Sequence, residues 1–228
     1  PVKGDVIFLP NVPGWKNVPL KKLLEKQLPI KVFLENDVNM IALGEWKFGA
    51  GKGFENLLCI TLGTGVGGGL ILNGRIYRGE GFVAGEIGHV PLNEKGPKCG
   101  CGGFGCFERY VGNRYVLKEA AQIFGQRGID FPDIRKLTKQ RHPKAPLFWR
   151  QLGEHIGNGL VGAVNLLNPT LVVIGGGVAH HNFAYLAPTI KKVVQKRAMK
   201  VQKAMAKIVK AKLGNDAGII GAQVLVNE

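Results

Sequence analysis

Two apolar runs, each opening directly into glycine, constrain this chain more than any other feature. Leu57-Leu58-Cys59-Ile60-Thr61-Leu62 leads into Gly63-Thr64-Gly65-Val66-Gly67-Gly68-Gly69, and Leu171-Val172-Val173-Ile174 leads into Gly175-Gly176-Gly177. Short continuous apolar runs bounded by breakers read as buried strands. A strand that ends in glycine is where an open α/β sheet presents backbone N–H groups to a ligand. Glycine is abundant overall, 34 of 228 residues, about twice the usual share of roughly 7%. It clusters in short loops without a collagen period, the pattern expected where backbone must approach a ligand closely.

The surrounding pattern supports an α/β protein. Val2–Leu9 reads as a strand, 18–26 as a short helix and Lys31–Leu34 as a short buried strand. Asn36 can cap a helix whose apolar face is Val38, Ile41, Ala42 and Trp46, ended by glycines 49, 51 and 53. The stretch Gly63–Gly69 reads as a loop before a second strand, Leu70–Leu72, and Asn73-Gly74 as a type I′ hairpin turn. Residues 79–112 lack apolar periodicity and read as a loop-built site. Helices are expected at about 113–125, 145–167 (stopped by Asn168-Pro169) and 183–200, a strand near 206–213, and a last helix capped by Asn215 or Asp216.

Composition removes several function classes. A 45% hydrophobic, 21% charged chain is globular, not disordered, and no run approaches the ~18 apolar residues of a membrane span. Four cysteines are too few for a secreted disulfide scaffold and no signal peptide opens the sequence, which favours a reducing, cytoplasmic setting. The net charge is 31 − 16 = +15, and residues 183–215 hold nine Lys or Arg and no Asp or Glu. With few aromatics and no nucleic-acid signature there, this reads as a solvated lysine face.

Three constellations carry chemistry. Cys99-Gly100-Cys101-Gly102-Gly103-Phe104-Gly105-Cys106, with His89 ten residues before Cys99, offers a complete Cys₃His set for a closed structural Zn²⁺ site; the alternatives are a free-cysteine loop or a disulfide. Cys59, inside an apolar strand, is an ordinary core thiol. The Gly63–Gly69 stretch lacks the Gly-Lys-Ser/Thr of a Walker loop and is followed by strand, so on its own it is either a phosphate cradle or a flexible turn. Glu35-Asn36-Asp37 places a carboxylate at a strand-to-helix junction, though on these residues alone helix capping accounts for the pair. Glu86 and Glu108 set further carboxylates beside the cysteine loop.

Their joint order, Glu-Asn-Asp, then Leu-Gly-Thr-Gly-Val-Gly-Gly-Gly, then Gly-Glu-Ile-Gly-His, then Cys-Gly-Cys-Gly-x-x-Gly-Cys-x-Glu, resembles the ROK family (repressors, open reading frames and sugar kinases), and within it the bacterial-type glucokinases. Pro10-Asn11-Val12-Pro13-Gly14-Trp15, Ile174–Gly177 and Asn215–Ala222 also match. The resemblance implies an actin-like (ribonuclease H-like) α/β fold of two lobes, the first incomplete. Residues 1–36 would be a remnant of the small lobe, 37–213 the large lobe, and 214–228 a C-terminal helix assigned to neither.

The resemblance further implies ATP-dependent phosphorylation of a hexose at its 6-hydroxyl, glucose first, with Asp37 as general base. Asn36, Glu86, His89 and Glu108 would hold sugar hydroxyls. Gly63, Thr64, Gly65 and Gly67 would hold ATP phosphates, and Gly175, Gly176 and Gly177 the adenosine. His89, Cys99, Cys101 and Cys106 would bind a structural Zn²⁺, while Mg²⁺ accompanies ATP. A cytoplasmic homodimer or homotetramer is expected, with no membrane association. The alternatives are a kinase for mannose, N-acetylglucosamine or N-acetylmannosamine, and a sugar-responsive repressor, which would touch nucleic acid only through an upstream DNA-binding domain. The family's Asp-x-Gly-Gly-Thr phosphate and Mg²⁺ loop has no counterpart in the sequence. The expectation is a parent polypeptide with roughly 80–110 further N-terminal residues, above the ~50-residue floor for a domain, and a 228-residue chain that is inactive and poorly soluble alone.

Overall fold

The computed structural model describes residues 4–8 and 12–227. Of the expected Val2–Leu9 strand, β1 (Val6–Phe8) is described, and it pairs antiparallel with β2 (Lys16–Val18). Pro10 and Asn11 of the Pro10–Trp15 match lie outside the described residues. Helix α1 (Leu20–Gln27) follows and buries none of its residues. The segment Lys31–Leu34 is not the buried strand its composition suggests. It is irregular chain outside any ladder, and Phe33 is 39% exposed. Apolar character makes a strand only where a neighbour takes up the backbone hydrogen bonds.

The main body is a five-stranded mixed sheet in the order β5-β4-β3-β6-β7. It comprises β3 (Leu57–Leu62), β4 (Val66–Leu72), β5 (Arg75–Tyr77), β6 (Leu171–Gly175) and β7 (Lys207–Lys210). β3, β4 and β5 pair antiparallel, while β6 lies parallel to β3 and β7 parallel to β6. The two central runs are apolar throughout because both sheet faces are covered. Leu58, Ile60, Leu62, Val172 and Ile174 face one core with residues of α6 (Ala145–Leu167) and α8 (Phe183–Arg197). Leu57, Cys59, Leu171 and Val173 face a second core with α2 (Asp37–Lys47) and α10 (Ala217–Asn227). Cys59 is fully buried, which pushes its thiol pKa up: a core thiol, as expected. Asn73 and Gly74 close the β4–β5 hairpin at φ 52° and 69°, the positive values of a type I′ turn.

Several boundaries differ from expectation. Gly63–Gly69 is not one loop: β4 begins at Val66, and Gly67, Gly68 and Gly69 pair with Thr61, Ile60 and Cys59. Close packing explains these glycines. A Cβ at Gly69 would stand 2.6 Å from Ala42 Cβ, and one at Gly67 2.5 Å from Val38 Cγ2, both on α2. A Cβ at Gly68, on the other face, would stand 2.4 Å from Gly85 O. α2 in turn buries Asn39, Ala42, Leu43, Gly44 and Glu45, leaving Val38, Ile41 and Trp46 half-buried, because α10 crosses it at backbone contact. A Cβ on Gly44 would sit 2.3 Å from Ala217 O.

Between β5 and β6 lie α3 (Glu108–Val111), α4 (Asn113–Phe124), α5 (Phe131–Lys139) and α6. The sequence reading passed over α5 although Asp130 and Asp133 form a capping box with Pro132 in the first turn. The helix expected over 183–200 ends at Arg197 and is followed by a separate α9 (Lys200–Met205). The strand expected over 206–213 is confined to β7, and a 3₁₀ turn, Gly214–Asp216, precedes α10. After β6 comes α7 (Gly177–His180). Among the described residues no helix is long and apolar enough to cross a membrane.

Candidate active site

The start of β4 is the hub. Parallel alignment brings the carboxyl ends of β3 and β6 to the same edge, where a Cβ on Gly176 would lie 2.4 Å from Leu62 O. The turn Gly63-Thr64-Gly65 therefore stands beside the Gly175–Gly177 step, with Thr64 exposed at its tip. Glu108 joins this turn from α3: its Oε2 accepts from Val66 N at 3.0 Å. Gly88 approaches Val66 O from the segment carrying Glu86 and His89. Val38, next to Asp37, lies over Gly67. Gly67 is thus inside β4 rather than in the Gly63–Gly65 turn.

Asn36 and Asp37 sit at the α2 N-terminus. Asn36 Oδ1 accepts from Val38 N and Asn39 N at 2.9 and 3.1 Å, which is the N-cap expected, and its amide nitrogen remains for another partner. Asp37 is exposed and spends one oxygen on Val38 N at 2.9 Å. Glu35 is the tie beneath them. Its Oε1 accepts from Asn36 N and Asn39 Nδ2, and its Oε2 pairs with Arg78 Nε. Burial raises the Glu35 pKa, but the hydrogen bonds from Asn39 and Asn36 and the Arg78 guanidinium outweigh it and hold the carboxyl below its ordinary range. The same ion pair joins Arg78, just after β5, to Glu35, just before α2.

Residues 79–107 contain one 3₁₀ turn, Ile87–His89, and are otherwise shaped by isolated bridges, Pro91 with Cys106 and Lys98 with Phe104. Within them His89, Cys99, Cys101 and Cys106 converge, with their ligand atoms all within 4.8 Å of one another. A tetrahedral zinc with Zn–S bonds of about 2.3 Å holds its sulfurs about 3.8 Å apart. Cys101 and Cys106 Sγ are 3.6 Å apart, and Cys99 Sγ is 3.7 Å from His89 Nδ1. All four cysteines of the chain are free. Hydrogen bonds from Gly103 N–H and Cys106 hold Cys101 below the ordinary thiol value, whereas burial and the neighbouring thiols push Cys106 up to about 12. Crowded thiols that resist shared ionisation are the donor set a dication relieves, so the residues fit zinc. His89 turns Nδ1 to the sulfurs and Nε2 toward Glu86 Oε2, 4.0 Å away, so one ring faces both the cluster and Glu86.

Beside Gly175–Gly177 a cavity of about 510 Å³ is bounded by Thr61, His180, Lys210, Gly214, Asn215 and Glu45 among others. Burial, then the charges of Lys210 and His181, push the His180 pKa down.

The ROK family model matches residues 1–228. The glucokinase of Streptomyces coelicolor is 35% identical over 242 residues, covering 99% of this chain and 76% of its own. The chain belongs to the ROK family. The solved structure of a ROK glucokinase from Streptomyces griseus with glucose and AMPPNP superposes with a TM-score of 0.82 at 33% identity, covering 98% of this chain and 76% of that one. The fold is therefore the actin-like α/β fold of ROK sugar kinases, and the chain spans about three-quarters of those relatives. ROK repressors match as well: the xylose repressor of Caldicellulosiruptor bescii is 28% identical over 98% of this chain and 58% of its own. Against this ROK framework the sequence reading missed Arg78, Asn39, Glu45, His180 and Lys210. The i, i+4 spacing of Glu35 and Asn39 was a local signal for one of them. The others join the site only through chain crossings.

Proposed function

We propose that this chain provides the sugar and nucleotide sites of an ATP-dependent hexose kinase acting in the cytoplasm, with glucose as first substrate. The observation that carries the reading is Asp37, exposed at the α2 N-terminus with one carboxylate oxygen uncommitted, near the β4 start where Glu108 accepts from Val66 N and Thr64 is exposed. Asp37 would accept the proton of the 6-hydroxyl as that oxygen bonds to the γ-phosphorus and the bond to the β–γ bridging oxygen breaks, releasing ADP. Phosphoryl transfer asks a protein mainly for positioning and charge stabilisation rather than covalent chemistry. Asn36 Nδ2, Glu86, His89 Nε2 and Glu108 would orient the sugar hydroxyls. Gly63, Thr64, Gly65 and the Gly175–Gly177 step would take the nucleotide. His89, Cys99, Cys101 and Cys106 would hold zinc, which supplies a fixed structural node and no chemistry of transfer. The proposal places the lobe boundary at 36/37.

A coupled ATP assay with Mg²⁺ across glucose, mannose, N-acetylglucosamine and N-acetylmannosamine tests it, on a polypeptide that also carries the phosphate and Mg²⁺ loop lacking from these 228 residues. Asp37→Asn keeps size and capping, so folding should persist while turnover falls by roughly 10²–10⁴-fold, the range for a lost general base, and sugar affinity changes little. Near-normal turnover in that variant with sugar bound would return Asp37 to a capping role. The xylose-repressor match favours a second reading, a sugar sensor without transfer. A protein that binds sugar and zinc but neither binds nor hydrolyses ATP would decide for it.

A further inference from the structure

Glu45 is a buried carboxylate that the proposed reaction does not use. It lies on α2 about two turns beyond Asp37 and is 0% exposed. Its partners are backbone amides: Ala50 N at 2.8 Å on Oε2, Lys212 N at 2.8 and 3.0 Å on both oxygens, and Leu213 N at 2.7 Å on Oε1. Lys212 and Leu213 lie in the bend between β7 and the Gly214–Asp216 turn, outside helix and sheet. Lys210 and Ala211 before this bend, and Gly214 and Asn215 after it, line the cavity next to Gly175–Gly177. A Cβ at Gly49 would fall 2.2 Å from Glu45 Oε2, so that residue leaves room for the carboxylate. Three donors converging on two oxygens require an acceptor at both, which a carboxylate is and an amide is not.

We propose that Glu45 is a positioning residue for the nucleotide site: it pins the Lys212–Leu213 bend and so sets the cavity wall formed by Lys210, Ala211, Gly214 and Asn215. The inference rests on the nucleotide reading of that cavity. It makes α2 a shared beam, with Asp37 at its exposed end and the nucleotide wall tied to its buried middle.

The test uses a polypeptide that also carries the phosphate and Mg²⁺ loop lacking from these 228 residues, unaltered and as its Glu45→Gln variant. Titration calorimetry with Mg·ATP and with glucose, and amide hydrogen exchange, are the readouts. In Glu45→Gln the ATP Kd should rise about 10-fold or more while the glucose Kd stays within about two-fold, and the Lys212 and Leu213 amides should exchange faster, having lost an acceptor. Open amides with unchanged ATP affinity would overturn the inference, as would equal loss of both affinities, the mark of general destabilisation. Should Glu45→Gln not fold, the unaltered chain decides: ATP must slow exchange at Lys212 and Leu213 more than glucose does, and equal slowing overturns the inference. An unaltered chain with protected amides and no ATP affinity overturns the nucleotide reading itself and this inference with it.

Discussion

On the proposed sugar side, Glu86 and His89 hang from a segment with almost no regular structure and Glu108 opens the short α3 just after it, whereas on the nucleotide side Gly63–Gly65 and Gly175–Gly177 follow directly on two buried parallel strands. The first is held by side chains: the Cys₃His cluster, the Glu35–Arg78 pair and the Glu108 bond to Val66 N. The second is held by the sheet ladder and by close backbone packing of Gly176 against Leu62. A loop tied by a few side chains fails when one of them is removed. A strand end fails when something is added.

The largest effect expected from this contrast follows removal of a zinc ligand. Purified protein should carry about one zinc per chain, and Cys101→Ser should lower zinc affinity by at least about 100-fold and weaken glucose binding by about 10-fold or more, with ATP affinity little changed. Elemental analysis beside two calorimetric titrations reads all three, and sugar-binding protein devoid of zinc would break the comparison on its first side.

On the second side, Gly176→Ala adds a Cβ 2.4–2.7 Å from the Leu62 backbone at φ +83°. It should destabilise the chain by about 1–3 kcal/mol and weaken ATP binding, leaving glucose affinity intact. Gly177→Ala, with open space at its Cβ, should leave stability unchanged. Thermal melts and the same titrations separate the pair, and equal tolerance of both alanines would show that packing against Leu62 is not what shapes this turn.

A smaller effect sharpens the sugar side. Arg78→Ala leaves Glu35, whose side chain is 4% exposed, without its cation, at a cost of about 1–3 kcal/mol. Because the folded-state pKa of Glu35 is depressed, its stabilisation is present above its ordinary value of about 4.5 and is lost as pH falls through the lower folded value. The melting-temperature gap between the unaltered chain and Arg78→Ala should therefore be full near neutral pH and shrink on acidification. A gap independent of pH would dismiss the ion pair as the source.

What was legible in the sequence was local. Asn36 reads as a cap because its side chain reaches amides two and three residues away. Asn73-Gly74 reads as a turn because two residues carry the whole geometry. The zinc set reads because its residue types fall within one short segment. The Cys59 strand reads because burial on both faces writes an unbroken apolar run. The capping box of α5 was equally local and was passed over for want of a long apolar stripe.

Tertiary structure decided the rest. Gly67–Gly69 resemble a phosphate loop in sequence and are strand, because only the approach of α2 and of Gly85 reveals why side chains are excluded there. Lys31–Leu34 has the composition of a strand and no ladder beside it. Glu35 and Arg78 are 43 residues apart and Glu45 and Leu213 168 apart, so no spacing rule connects them. Capping, turn geometry and metal-ligand spacing depend on a few consecutive dihedral angles, which residue types fix. Close backbone contact and buried carboxylate pairing depend on which distant segments the collapsed chain brings together, and that is settled only when the sheet and its two helical layers close.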